Sequence, residues 1–406
     1  VENQCVLVFR RSKLLCLLRN HAICETWERP NSAETLILVG ACQLLSVIRS
    51  SEQRIGMMKV WQLLDSSGLG GIESHVLTLA SGLRRRHMDS QVMFLADHGP
   101  HPLRAALAAE DVSWTILGGP SGLARALRVS QPDLLHTHGY KAGLLGRFIA
   151  RALRIPVVSS FHAGEPGEGR VRLYTALDRW SARLAPRVAV SEKIAAQLPG
   201  PVTVIPNFVR CPARTPARPT RRPVIGFVGR LSFEKGPDLF FDLAGRLKER
   251  CDFVLFGDGT MREALSMHPA SAHICRRGFV PSMVPHWGDI DLLCLTSRHE
   301  GLPMAVLEAM AHGCPVAGFR VGAMGEVVSH GRTGFLADPL DLNGLEHSLL
   351  SWLEMPAEDR RAMADAAIET VRAAYGLEAG LDAMIRLYRS ISASFSNSTQ
   401  HQSSGV

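Results

Sequence analysis

Leu292-Leu293-Cys294-Leu295-Thr296-Ser297-Arg298-His299-Glu300-Gly301-Leu302-Pro303-Met304-Ala305-Val306-Leu307-Glu308 is the stretch from which the fold reads outward. An uninterrupted apolar run ends in a polar turn, and Gly301 and Pro303 then open a helical pattern. The same order occurs upstream: Ile225-Gly226-Phe227-Val228 runs into Gly229-Arg230, and Glu234-Lys235-Gly236-Pro237 precedes the next helix. Strand-turn-helix units in series predict parallel sheets covered by helices on both faces.

From Lys59 onward this alternation fills the chain. Expected strands are Val60 to Leu64, Gln91 to Leu95, Trp114 to Leu117, Leu134 to His136, Val157 to Ser160, Val188 to Val190 and Val202 to Ile205. Helices are expected between them at Glu73 to Arg86, Leu123 to Val129, Gly143 to Leu153, Val171 to Leu184 and Glu192 to Leu198. Together they predict one Rossmann-like domain over 57–209. Residues 210–223 interleave Pro212, Pro216, Pro219 and Pro223 with Arg214, Arg218, Arg221 and Arg222. Proline at that density forbids a packed element, so an extended linker is expected. A second domain is expected over 224–390, with strands Val224 to Val228, Phe253 to Phe256, Leu292 to Thr296 and Val316 to Gly318. Its helices fall near Pro237 to Glu249, Met304 to His312 and Leu342 to Leu353. Residues 391–406, rich in Ser, Asn and Gln, are expected to form a disordered tail.

Val1 to Gly56 is different in kind. Its apolar runs are broken by Arg10, Arg11, Lys13 and Arg49 without helical or strand periodicity, and it lacks the layout of a signal peptide. We expect an atypical extension, with translation beginning at Met57 or Met58. The alternative is an amphipathic extension that touches a membrane.

A hydrophobic fraction of 46% with 20% charged residues over 406 residues excludes wholesale disorder and favours two cores. The net charge of +7 leaves nucleic acid, anionic lipid or a phosphorylated ligand open, beside a plain solvated surface. Aromatics at only 6%, with no basic block interleaved among them, argue against nucleic acid. The nine cysteines form no C-x-x-C pair and read as buried thiols of a reducing compartment. The best apolar run, Thr35 to Ile48, is too short to span a bilayer and contains Gln43, so a soluble or peripheral protein is expected.

Arg230 and Lys235 stand at the carboxyl end of a strand, where two fixed cations can neutralise a diphosphate. The bland alternative is two cations in a solvated loop. Gly301 allows close backbone approach, and the amides of the helix that follows make an anion site. Glu308, eight positions after Glu300, can face the same cleft and accept hydrogen bonds from vicinal hydroxyls such as those of a ribose.

In order and spacing, the run from Glu300 to Val316 resembles the E-x7-E signature of family 4 of the retaining GT-B glycosyltransferases, the glycosyl transferases group 1. Gly229-Arg230 with Lys235-Gly236, Gly257-Asp258-Gly259, Gly322 through Glu326, and Gly331-Arg332-Thr333-Gly334 carry the same resemblance, which extends over about Lys59 to Arg389. It implies an α/β GT-B fold, two Rossmann-like doubly wound domains facing each other across a cleft. It implies a nucleotide diphosphate sugar as donor, no cofactor, no metal, and retention of anomeric configuration. The departing phosphate itself would help deprotonate the acceptor. The implied catalytic residues are His162, Arg230, Lys235 and Glu300. Gly70, Gly71, Arg230, Lys235, Glu300, Gly301, Leu302, Pro303 and Glu308 are the implied nucleotide-sugar contacts. Relatives of this kind build cell-surface polysaccharides or glycolipids, which implies a glycan or lipid-linked acceptor. A cytoplasmic enzyme is implied, acting at the inner face of the plasma membrane where the acceptor is lipid-linked.

The first half adds residues of its own. Gly68-Leu69-Gly70-Gly71-Ile72-Glu73 opens the first helix, and Glu73 stands where a dinucleotide fingerprint needs glycine, which argues against an NAD enzyme. His136 and His138 alternate along a strand; a metal pair is conceivable, but no third ligand is in view and His136 reads as structural. Asp289-Ile290-Asp291 mimics a metal-binding D-x-D but precedes its strand, whereas ligands bind beyond strand carboxyl ends. Rival readings are an inverting transferase or a nucleotide-sugar epimerase, an inactive nucleotide-sugar-binding protein, and a nucleic-acid binder. Arg84 to Arg86, Arg147, Arg151, Arg154, Arg179, Arg183 and Arg187 suggest contact of the first domain with anionic membrane. Complementing helix dipoles is the competing role for such cations.

Overall fold

Val60, Trp61, Leu63 and Leu64 are all buried, as are Ile225, Gly226 and Phe227. Strands apolar on both faces need a layer of helices on each side, and both sets obtain one. The computed structural model describes residues 6–10, 13–17, 23–26, 58–162, 169–212 and 222–403. Val1–Met57 and Met58–Val406 are separate compact units. In the first, Val6–Arg10, Lys13–Leu17 and Ile23–Thr26 pair antiparallel, strands that the broken periodicity of this stretch did not foretell.

The second unit holds two parallel sheets. Across the first, the order is Thr203–Val204, Arg187–Ala189, Val157–Phe161, Leu134–His138, Lys59–Leu64, Asp89–Phe94 and Trp114–Ile116. The chain starts in the middle, builds outward to one edge, then returns to build the other. The order therefore reverses between Lys59–Leu64 and Leu134–His138, which are hydrogen-bonded neighbours. In the second sheet the order is Ile274–Gly278, Asp252–Phe256, Val224–Val228, Leu292–Leu295, Val316–Phe319 and Gly334–Ala337. Here the reversal lies between Val224–Val228 and Leu292–Leu295. Crevices open beyond the carboxyl ends of strands at such reversals, and the two in this chain become the two walls of one site.

Several features depart from the sequence expectations. Ile274–Gly278 and Gly334–Ala337 extend the second sheet; the former carries exposed Cys275, Arg276 and Arg277 and so shows no apolar signal. Residues 391–403, expected to be disordered, continue the Leu377–Ser403 helix. Its anchor explains this: Leu381, Met384, Ile385 and Tyr388 bury against Met58, Val60, Leu79, Leu83, Leu134 and Val158 of the first half. The helix thus crosses back from the second sheet to the first, and the domain expected to end at 390 gives up its last helix to its neighbour. The proline-rich connection expected over 210–223 falls largely outside the described residues, but its start is seen. Val209 N donates to Tyr375 O and Leu377 N to Val209 O, both at 2.9 Å, so the two crossings between the halves run side by side. Finally, among Cys211, Cys251, Cys275, Cys294 and Cys314, all free, Cys251, Cys294 and Cys314 are buried as expected, whereas Cys275 is exposed and Cys211 half-buried.

Candidate active site

The second-half wall is built on two turns clipped together. Gly236 adopts a left-handed backbone (φ +61°) and passes so close to the Thr296 carbonyl that any side chain would collide with it. Thr296 Oγ1 donates to Gly236 O at 2.7 Å and Arg298 N to Glu234 O at 2.8 Å. Arg298 also grips Asp238 through two bonds of 2.9 and 2.6 Å and lies over the Phe233 ring. This clasp brings Lys235 Nζ to 2.7 Å from both oxygens of Glu300, whose Oε1 also accepts from Ser297 Oγ at 2.6 Å. Glu300 is buried and Lys235 about a third exposed, so the ammonium keeps one donor open for a ligand. Sequence reasoning gave both residues to the ligand; the structure pairs them with each other and adds Ser297.

Met304–Ala311 forms the helix expected there, with Pro303 at its N-cap. Its first amides have no intrahelical partner. Leu302 and Pro303 are themselves buried, Leu302 within the core and with its carbonyl taken by Asn207 Nδ2 at 2.8 Å, so what this segment offers the cleft is backbone. Glu308 lies one turn into the helix. Burial without a compensating partner pushes its carboxyl up to about 7. Asp291, of the D-x-D lookalike, takes part in the start of its sheet: its Oδ2 accepts from Val224 N at 2.8 Å.

The first-half wall faces these residues directly. At Gly70 a Cβ would lie 3.0 Å from both Arg230 Nη2 and Glu73 Oε2, so glycine here lets the cation of one half approach the loop of the other. Gly71 lies opposite Met304, and Gly301 packs on the His162 carbonyl with no room for a side chain. Glu73, singled out in the sequence only for spoiling a dinucleotide fingerprint, is buried in the wall, and burial raises its carboxyl despite Ser66 and Arg230 nearby.

Behind His162 runs a chain of hydrogen bonds. His162 Nε2 lies 3.2 Å from His138 Nδ1, and His138 Nε2 lies 2.8 Å from Gln62 Oε1. Gln62 Nε2 reaches Tyr388 OH at 3.5 Å, Tyr388 OH reaches His136 Nδ1 at 2.6 Å, and His136 Nε2 reaches Ser160 Oγ at 2.7 Å. Burial drives all these imidazoles below their usual range, His136 to about 3, His162 to about 4 with Asn207 opposing part of the shift, and His138 well below it. Each ring is therefore neutral at pH 7 and must choose a tautomer. Because Gln62 Oε1 only accepts, His138 carries its proton on Nε2, and His162 Nε2 must donate to His138 Nδ1. His136 is structural, as expected. His75 is the addition: with its ring 5.0 Å from that of His162, it completes a group of three imidazoles, His75, His138 and His162, whose ligand atoms lie within 4.8 Å of one another. The pair conceivable from the sequence, His136 with His138, is not completed: His136 stays outside the group, and His75 from the first helix and His162 join His138 instead.

A cavity of about 780 Å³ opens within the second half, lined by Leu231, Gly257, Asp258, Thr260, Arg276 and Gly278 among others, at the carboxyl ends of Val224–Val228 and Asp252–Phe256. It has room for a nucleoside-sized ligand.

Two Rossmann-like sheets whose order reversals face each other define the GT-B class of folds. Residues 69–211 match the family described as Glycosyltransferase Family 4, and residues 222–355 the family described as Glycosyl transferases group 1. The chain is 29% identical to the 2-deoxystreptamine N-acetyl-D-glucosaminyltransferase of Streptomyces fradiae, a match covering 80% of this chain and 88% of that one. It is 27% identical to the glycogen synthase of Mycobacterium tuberculosis, covering 72% and 84%. Anabaena HepE, solved with UDP and glucose, shares the fold with a TM-score of 0.72 at 20% identity, over 82% of this chain and all of that one. The chain belongs to the group 1, family 4 glycosyltransferases.

Proposed function

We propose that this glycosyltransferase moves a sugar from a nucleoside diphosphate to a glycan or lipid-linked acceptor in cell-surface polysaccharide or glycolipid synthesis, with retention of configuration and without a metal ion. The observation that carries this reading is the pairing of the two order reversals: Arg230, the Lys235–Glu300 pair and the helix start at Met304 stand opposite the neutral His162. Arg230, Lys235 and the first amides of Met304–Ala311 would hold the diphosphate and stabilise charge developing on it as it leaves. These cations supply the neutralisation that a divalent ion supplies elsewhere, so no metal is required. Glu308 would accept the ribose hydroxyls, and Glu300, held in place by Lys235 and Ser297, those of the donor sugar.

An inverting transferase needs a general base opposite the leaving group. His162, with its pKa lowered to about 4, is a weak one. This favours retention, with the departing phosphate taking the acceptor proton. His162 then orients the sugar rather than titrating. The test is turnover of UDP-, GDP- and ADP-linked hexoses in excess EDTA with crude glycan and lipid acceptors, followed by NMR of the product anomer. Product of unchanged configuration is expected; an inverted product would overturn the mechanism, and full dependence on added manganese would overturn its metal-free part.

A further inference from the structure

Six large apolar side chains left exposed among the described residues lie together on two neighbouring helices of the first half. Tyr140 and Phe148 belong to Tyr140–Ala152, and Leu173, Tyr174, Leu177 and Trp180 to Gly169–Ser181. Tyr140 stacks on Tyr174 with ring centroids 6.1 Å apart, and Phe148 on Trp180 at 6.4 Å, so the rings bridge the two helices at both ends. Leu173, Leu177 and Trp180 recur four and three residues apart, one stripe of a helix, yet Trp180 is 65% and Leu173 62% exposed. A helix stripe belongs against something.

The charges say what. The only carboxylate on these two helices is Asp178, and it is buried on Arg147, which also donates to Ser159 and Ser181. Arg147, expected among the membrane-facing cations, is instead a wholly buried strut that locks the two helices together. Arg84, Arg85 and Arg86, expected in the same role, are paired with Asp111, Glu110, Glu378 and Asp382. Around the ridge, by contrast, Arg151, Arg154, Arg172 and Arg183 are exposed. Aromatic and aliphatic side chains rimmed by arginine, with no outward acid on either helix among the described residues, match the interfacial layer of an anionic bilayer. A second copy would bring arginine against arginine across a twofold axis.

We propose that the ridge Tyr140, Phe148, Leu173, Tyr174, Leu177 and Trp180, with Arg151, Arg154, Arg172 and Arg183, docks this protein on an anionic lipid surface. The ridge begins two residues after His138, at the mouth of the cleft, so docking would present the first-half wall to an acceptor carried in the membrane. That last step rests on the glycosyltransfer proposed above; the docking does not. The test is flotation of the full chain with vesicles of phosphatidylcholine alone or mixed with phosphatidylglycerol, with no nucleotide or acceptor present. Binding is expected to the anionic vesicles only, released as salt rises. The double variant Phe148→Ser/Trp180→Ser and the triple variant Arg151→Glu/Arg172→Glu/Arg183→Glu should each lose about tenfold or more in partitioning while keeping the wild-type melting curve and UDP affinity. Flotation of both variants equal to wild type, or none with either vesicle, would overturn the proposal. So would a dimer that Trp180→Ser converts to a monomer without any effect of lipid. Failure of the transferase reading would show separately, as absence of donor turnover.

Discussion

The two walls of the cleft solve opposite problems. The second-half wall concentrates charge: Arg230, Lys235 and Glu300 sit in turns at strand ends, and the half-buried carboxyl of Glu308 waits on the helix behind them. The first-half wall sets an uncharged network beside Glu73: Gln62, His136, His138, His162 and Tyr388 form a chain in which each proton already has a place. On the proposed function, the second-half wall grips a diphosphate and gains from fixed cations, because charge-assisted bonds are the strong ones. On the same reading, the first-half wall orients a hydroxyl and a sugar and gains from preset polar groups that cost no reorganisation. Each wall is completed by the other half, through Arg230 against Gly70, Gly301 against His162, and Tyr388 on a helix that crosses back to bury against the first sheet.

This contrast can be broken from either side. The largest effect is expected at Lys235→Ala, which should weaken UDP binding by about 2 to 3 kcal/mol, read by titration calorimetry. It also strands the buried Glu300 carboxylate, so Lys235→Ala/Glu300→Gln should recover melting temperature without recovering affinity. On the neutral wall, Tyr388→Phe leaves His136 Nδ1 without its 2.6 Å partner. It should cost about 1 to 2 kcal/mol in urea unfolding and lower kcat, with UDP affinity unchanged. Loss of UDP affinity there would mean that the walls are not separable.

A smaller effect is set by Glu308, whose folded pKa of about 7 lies above the usual 4.5. The folded state holds this proton more tightly than the unfolded one, so the group costs no stability at pH 4, and stability is lost as pH rises from about 4.5 to 7. Glu308→Gln should therefore raise the melting temperature at pH 8 and leave it unchanged at pH 4. If the ionised carboxylate holds the ribose, UDP affinity should rise up to about tenfold between pH 6 and pH 8 in wild type and stay flat in the variant. The smallest expected effect is none: excess EDTA should leave turnover intact. Its loss on chelation, restored by zinc but not magnesium, would direct attention to His75, His138 and His162.

The same contrast explains what could be read from the chain. Every element of the charged wall is local: a buried strand, a turn with one or two functional residues and a helix start fall within about twenty residues, and apolar periodicity exposes them. Both sheets were legible for that reason, apart from the arginine-bearing edge strand Ile274–Gly278 and the short Gly334–Ala337. The neutral wall is assembled across the fold instead. Gln62 and Tyr388 are 326 positions apart, and His75 approaches His162 only because the first helix starts beside its strand. No spacing in the chain announces such a set. The crossing of Leu377–Ser403 was missed for a related reason: its buried stripe, Leu381, Met384, Ile385 and Tyr388, has a partner only once the first sheet exists, and the Ser-rich end that follows masks it.

The most direct test of the account is equilibrium binding of UDP, GDP and ADP in EDTA to the wild type, to Lys235→Ala and to Tyr388→Phe. One nucleotide should bind the wild type without metal, bind Tyr388→Phe equally well and bind Lys235→Ala at least about tenfold more weakly. If none of the three binds the wild type, or if the loss falls on Tyr388→Phe and spares Lys235→Ala, the charged wall is not the nucleotide site and the account fails.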